Sequence, residues 1–224
     1  FFNTNPLKLG LKSNEGIILM EEYDEQQVLE TAWKFLRCNT TGTLRFGDHL
    51  HEVSYVFGND GAMIIPAMVA MLQPQSLVMY VPEYGEDCME MHVTLEQFSE
   101  TGDDGVYVDR WQMYHGEPPD VQWAKVTIDA ARFHGMFIDG DGLQRENEIA
   151  VDEPLLCIQL NGDIAEIVSA CKQIANVEVE TPVVVGVDQL GVDVRARFGI
   201  VRLESDAPLT NIGEVLTFSG GGVL

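Results

Sequence analysis

Val183 to Leu203 reads VVVGVDQLGVDVRARFGIVRL. Its two-residue periodicity is interrupted twice by turn residues, so each side chain can be assigned to a sheet face. A tight turn at Phe198-Gly199 would pair Arg197 with Ile200, Ala196 with Val201, Arg195 with Arg202 and Val194 with Leu203. Val194, Ala196, Val201 and Leu203 then share an apolar face, and Arg195, Arg197 and Arg202 share the other. Three of the eight arginines are thereby gathered on one surface of a protein whose formal charge is -23.

Working outward, the 224 residues are 46% hydrophobic and 22% charged, enough to bury a core in one large domain or two small ones. No apolar run approaches the ~20 residues of a membrane-crossing helix, and the longest candidate, Met63 to Met71, is broken by Pro66. The first residues, FFNTNPLKLGLKSNEG, contain no basic region leading into a long apolar segment and no small-residue cleavage site, which reads as a cytoplasmic protein. Cys38, Cys88, Cys157 and Cys171 are far apart, without metal-ligand or disulfide-framework spacing, so reduced thiols are expected. Thirty-six acidic against thirteen basic side chains repel phosphate backbones and anionic bilayers, which excludes nucleic acid and membrane as partners. A large net charge also serves solubility alone.

Asp24 and Gln27 form a capping-box pattern ahead of Val28, Leu29, Ala32, Trp33, Phe35 and Leu36, predicting a first helix. The period then changes to two. Thr41 to Phe46, His49 to Phe57 and Ala62 to Ala67 are separated by Gly47-Asp48 and Asn59-Asp60-Gly61, which predicts a three-stranded antiparallel meander. Further strands are expected at Ser76 to Pro82, Cys88 to Phe98 and within Trp123 to Ile138. Glu100 to Gly105 and Gly116 to Asp120 read as loops. Closing so many antiparallel strands on themselves removes exposed edges, so residues 20–142 are expected to form a β-barrel. Asp139 to Ala150 is the best linker. A helix from about Glu153 to Ala175, the Val183 to Leu203 strands and a short helix near Asn211 to Leu216 make a second unit over 150–218, ahead of a Gly220-Gly221-Gly222 tail. The fold class is α+β, an antiparallel split β-barrel followed by a small helix, β-meander, helix domain.

TTGTLRF, HEVSYVF, the GNDG turn and AMIIPA, in that order after a helix, resemble the opening of the pyridoxamine 5'-phosphate oxidase-like FMN-binding split barrels. DRWQMYHG and WAKVTIDAARFHGMFIDGDGL resemble closing strands of that superfamily. LNGD at Leu160 to Asp163, with the strands after it, resembles the small α/β domain fused to such barrels in their haem-utilisation branch. The resemblance implies a homodimer with FMN between subunits, its phosphate held by an arginine on the second strand and by a Ser/Thr and Arg/Lys pair where the third strand enters a helix. Here His49 to Phe57 contains no Arg or Lys, and Pro66-Ala67-Met68-Val69-Ala70-Met71 is apolar. Arg110, or an arginine of a second subunit, is what could reach the phosphate. Relatives carry a histidine after the Asp of the N-x-D pattern, where this chain has Ile164. They also carry one near the C-terminus, whereas the last histidine here is His134.

Arg110, Trp111, Tyr114 and His115 place a cation, two aromatics and an imidazole within six residues. They suit a planar-cofactor pocket, with Arg110 on an anionic group and Trp111 or Tyr114 stacked on a ring. They equally suit a packed barrel with Arg110 paired to a carboxylate. His49 and His51 are two apart, so their rings share a strand face, and His92 could complete a metal triad. Outward polar alternation with Leu50 and Val53 accounts for them without a metal. Arg195, Arg197 and Arg202 could hold an anion or an acidic subunit surface, or pair with Asp188, Asp193 or Glu204 at a solvated surface. Asp139-Gly140-Asp141-Gly142 lacks the bidentate Glu a calcium loop needs and reads as a β-turn. Met63, Met68, Met71, Met79, Met89 and Met91 read as adaptable core filling. No GxSxG, HExxH, P-loop or GxGxxG context occurs. The resemblance therefore implies an FMN-dependent oxidoreductase with an atypical phosphate site. The alternatives are a haem-binding or haem-degrading protein, with His92, His115 or His134 as axial ligand, and a non-catalytic dimeric module that has lost the cofactor.

Overall fold

The computed structural model describes residues 25–118, 120–211, 214, 215 and 218. The Asp24 cap, the glycine tail and half of the expected Asn211 to Leu216 helix lie outside the described residues. Helix α1 (Glu25–Arg37) buries the stripe Ala32, Trp33 and Leu36. Strands β1 (Thr41–Phe46), β2 (His49–Ser54), β3 (Val56–Phe57), β4 (Met63–Ala67), β5 (Leu77–Val81) and β6 (Met89–Phe98) follow. Helix α2 (Gly105–His115) then precedes β7 (Gln122–Phe133) and β8 (Met136–Asp139). These strands form one curled antiparallel sheet in the order β2-β1-β5-β6-β7-β4-β3, with β8 on β7. The expected hairpins are present, Phe46 opposing His49 and Phe57 opposing Met63. Because β2 and β3 stand at opposite ends of the pairing order yet only Tyr55 separates them, the sheet curls until its ends meet there. Tyr55 is buried, and its hydroxyl donates to the Leu36 carbonyl at 2.9 Å, which pins α1 to that closure.

Inside the curl, alternate residues of every long strand build one core, among them Leu44, Met63, Ile65, Met79, Met91 and Ile128, covered by Trp33 and Leu36 of α1. Met63, Met71, Met79, Met89 and Met91 fill core positions as expected, whereas Met68 is exposed. The second unit contains α3 (Glu153–Leu160), α4 (Ile164–Ile174), β9 (Val183–Asp188), β10 (Gly191–Ala196) and β11 (Gly199–Glu204). Its three strands form a separate antiparallel sheet, β11-β10-β9, over a core that includes Leu156, Ile167, Val192, Val194 and Leu203.

Three expectations are corrected. DRWQMYHG is helical, the second half of α2, and buries Val108, Trp111 and Tyr114 at spacings of three, one helical stripe. The single helix expected from Glu153 to Ala175 is broken at Asn161-Gly162-Asp163, where Asp163 caps α4 by accepting from Glu166 N. Asn161 instead brackets Val184, donating to its carbonyl at 2.9 Å and accepting from its N–H at 2.8 Å, so LNGD fastens helix to sheet. Finally, the β10–β11 loop is Arg197-Phe198, because Ala196 opposes Gly199. Gly199, at φ 142°, occupies a backbone region open mainly to glycine and serves as the first residue of the returning strand. Every partner moves by two residues, which preserves the faces. Arg202 now opposes Asp193 instead of Arg195, replacing a repulsive pair by an attractive one.

Candidate functional site

A third core joins the two sheets. Val56 and Ile64 on the outer side of the curled sheet pack with Val108, Trp111 and Tyr114 of α2 and with Val185 of β9. The four sequence-predicted residues lie on this seam, and each side chain has a protein partner, although Arg110 Nε is buried without one. Arg110 donates from both terminal nitrogens to Glu153 at 2.9 and 2.8 Å, and Glu153 also accepts from Val187 N at 3.0 Å. Tyr114 donates to Asp193 at 2.7 Å. Trp111 donates to the Ser54 carbonyl at 3.1 Å and meets Trp123 edge to face at 5.5 Å. The His115 Nε2 lies 3.2 Å from the Tyr55 carbonyl, and its ring is 4.8 Å from Trp111.

Beside them lies a buried ionic chain that sequence reasoning missed in part. Arg37 pairs with Asp188 at 2.7 Å, Arg202 pairs with the other oxygen of Asp188, and Arg202 also reaches Asp193 at 3.0 Å. The Leu190 N–H adds a fourth donor to this pair of aspartates, bonding Asp188 at 2.8 Å. Asp188 and Asp193 were named as possible partners of the arginine cluster, but the Arg202 side chain is only 5% exposed, so the pairing is internal and not at a solvated surface. Arg195 instead donates to the Met113 carbonyl, a second tie to α2. Arg37 carried no sequence signal beyond its place at the end of α1.

Protonation follows from this crowding. Burial would raise the Asp188 carboxyl, but Arg202 and then Arg37 outweigh it and hold it well below the usual range. Burial and then Asp193 push the Tyr114 phenol far up, and burial pulls the His115 imidazole down, so both are neutral at pH 7. Cys38 and Cys157 are each pushed up to about 12, chiefly by burial, and are thiols rather than nucleophilic thiolates. A Cβ at Gly186 would fall 1.8 Å from the Tyr114 hydroxyl. Gly186→Ala is therefore expected to cost about 1–3 kcal/mol by overpacking, because Tyr114 can retreat only by leaving Asp193. Urea denaturation of this variant alone and with Tyr114→Phe, which relieves the contact, checks it.

The other candidates are not brought together. By register His49 and His51 share the core-facing side with Phe46 and Leu44, while His92 aligns with Val78 and Arg45 on the opposite face. Among the described residues no group of three or more His, Cys, Asp or Glu could hold a metal ion. Asp139 to Gly142 makes a 3-10 turn with Asp139 accepting from Asp141 N.

The curled antiparallel sheet with its separate three-stranded sheet fits the α+β split-barrel fold that the resemblance implied. No family profile matches the chain, and no curated protein does. Among solved structures, the Agrobacterium tumefaciens protein Atu2129, of unknown function, matches with a TM-score of 0.67 at 13% identity, covering 86% of this chain and 94% of its own. Campylobacter jejuni ChuZ matches at 11% identity with a TM-score of 0.43, over 54% of this chain and 62% of its own. A Corynebacterium glutamicum protein named after the pyridoxamine 5'-phosphate oxidases matches at 14% identity with a TM-score of 0.35, over 48% and 86%. At these identities the likeness concerns the fold alone.

FMN and haem, the groups implied by the resemblance, do not fit the residues present. Between Arg45 and Arg110 there is no Lys or Arg, so β2 and the segment after β4 offer a phosphate dianion no cation. The space lined by Arg110 and Tyr114 is about 20 Å³, whereas ligand pockets measure roughly 300–1,000 Å³. For haem, His115 Nε2 is engaged by Tyr55 and His92 stands exposed on the outer sheet face. No helix among the described residues is long and apolar enough to cross a membrane.

Proposed function

We propose that this chain is a non-catalytic, homodimeric split-barrel module in which the superfamily's cofactor position has been given over to structure, with units at 20–142 and 150–218 held as one body. The observation that supports this reading is the engagement of Arg110 and Tyr114 by Glu153 and Asp193, which leaves a space of only about 20 Å³ beside them. Dimerisation is supported by β2, where His49 to Glu52 are exposed on both faces and which ends the sheet's pairing order. An open edge of this kind calls for a covering partner.

Visible absorption during titration of the purified protein with FMN and with haemin tests the loss of cofactor. The expected result is no saturable flavin binding and no sharp Soret shift, with a dimer mass by light scattering. Stoichiometric flavin uptake would restore the FMN-dependent oxidoreductase, a sharp Soret band would restore the haem protein, and a monomer mass would remove the dimer.

A further inference from the structure

The outer face of the curled sheet, away from the seam, carries a groove of about 650 Å³. Its floor is set by register: Tyr80, Glu90 and Arg132 align across β5, β6 and β7, and Arg45 lies one row along on β1. The Tyr80 side chain is buried as a platform, Tyr84 meets it edge to face at 4.8 Å while 62% exposed, and the Arg45 guanidinium stands 5.8 Å from the Tyr80 ring centre. His134, at φ 49°, closes the far wall.

The charges decide the ligand. Arg132 is matched by Glu90 at 2.9 Å. Arg45 forms no ion pair among the described residues, although the protein carries thirty-six carboxyl side chains. Glu86 and Asp87 also line the groove and repel a second negative charge. One unmatched guanidinium beside two phenol rings suits a flat ring bearing one carboxylate, since a guanidinium binds carboxylate bidentately and ring edges and faces attract.

We propose that this groove binds small aromatic monocarboxylates, the carboxylate on Arg45 and the ring against Tyr80 and Tyr84. The test is a ¹H–¹⁵N NMR titration of the full chain with 2-naphthoate, with 2-naphthol and phenyl phosphate as neutral and dianionic controls. Saturable shifts of the Tyr84 to Cys88 and His134-Gly135 amides are expected with naphthoate. Arg45→Met, which keeps the stem over Tyr80, should weaken binding about tenfold or more, as loss of a charge-assisted hydrogen bond does. Tyr84→Ala, at an exposed side chain, should also weaken it, and Lys34→Met should not. Should Arg45→Met fail to fold, Tyr84→Ala and the two control ligands decide. The proposal is overturned by absence of saturation at millimolar naphthoate, by unchanged affinity in the folded Arg45→Met or Tyr84→Ala protein, or by tighter binding of phenyl phosphate or naphthol. FMN or haemin uptake elsewhere would refute the cofactor-free reading and leave this one standing.

Discussion

Asp188→Ala is expected to remove about 3–5 kcal/mol of stability, because it strands two buried guanidinium groups at once. Arg37 and Arg202 converge on the two oxygens of this carboxylate, and the Arg37, Arg202 and Asp188 side chains are only 5–6% exposed. Arg202 would retain Asp193, but Arg37 has no other ion pair among the described residues and only the Phe57 face, 4.6 Å away, to rest on. The same pair gives a pH signature. The Asp188 carboxyl is depressed in the folded state by Arg202 and Arg37 against its burial, while in the unfolded chain it titrates at roughly 3.9. Its stabilisation is therefore complete above that value and is lost as pH falls through it toward the folded one. Chemical denaturation of wild type and Asp188→Ala at several pH values should show a gap that is constant near neutrality and narrows progressively below about pH 4. A gap as wide at pH 3 as at pH 7 would mean that folding does not depress the Asp188 carboxyl, and a gap that widens as pH falls would mean that it is not ionised in the folded protein.

How much of this was legible in the sequence depended on whether the deciding signal was local. The hairpin faces at Val183 to Leu203 were readable because side chains alternate with period two, and a slip of two residues leaves every face unchanged. The slip itself was not readable, since Gly199 serves equally well as a loop residue or as the first strand residue. DRWQMYHG reads as a strand only through its resemblance to split-barrel closing strands, although the three-residue spacing of Val108, Trp111 and Tyr114, a helical stripe, is present in the sequence. The break between α3 and α4 was announced by Gly162-Asp163, a helix stop and an N-cap in succession. Arg110 and Tyr114 stood out in the sequence as candidates, yet their company was hidden. Glu153 is 43 residues away and Asp193 is 79, and one chain without an alignment offers no sign of such pairings.

Whether Arg110 is a cofactor residue or a structural one is settled by a double-mutant cycle with Glu153. Arg110→Met leaves Glu153, 4% exposed, with the Val187 N–H as its remaining donor, and should cost about 3 kcal/mol or more. Glu153→Leu strands Arg110, whose side chain is 17% exposed, and should cost a similar amount, about 3 kcal/mol. Together the two substitutions replace a buried ion pair by apolar groups, a change that is often near neutral. The double variant should therefore fall well short of the sum, with a coupling of about 2–3 kcal/mol. A cofactor arginine would behave otherwise: Arg110→Met would change stability little, the two effects would add, and Glu153→Leu would leave ligand binding intact while Arg110→Met abolished it. Additive, small effects in urea denaturation would return Arg110 to the cofactor site and take the argument for a closed seam with it.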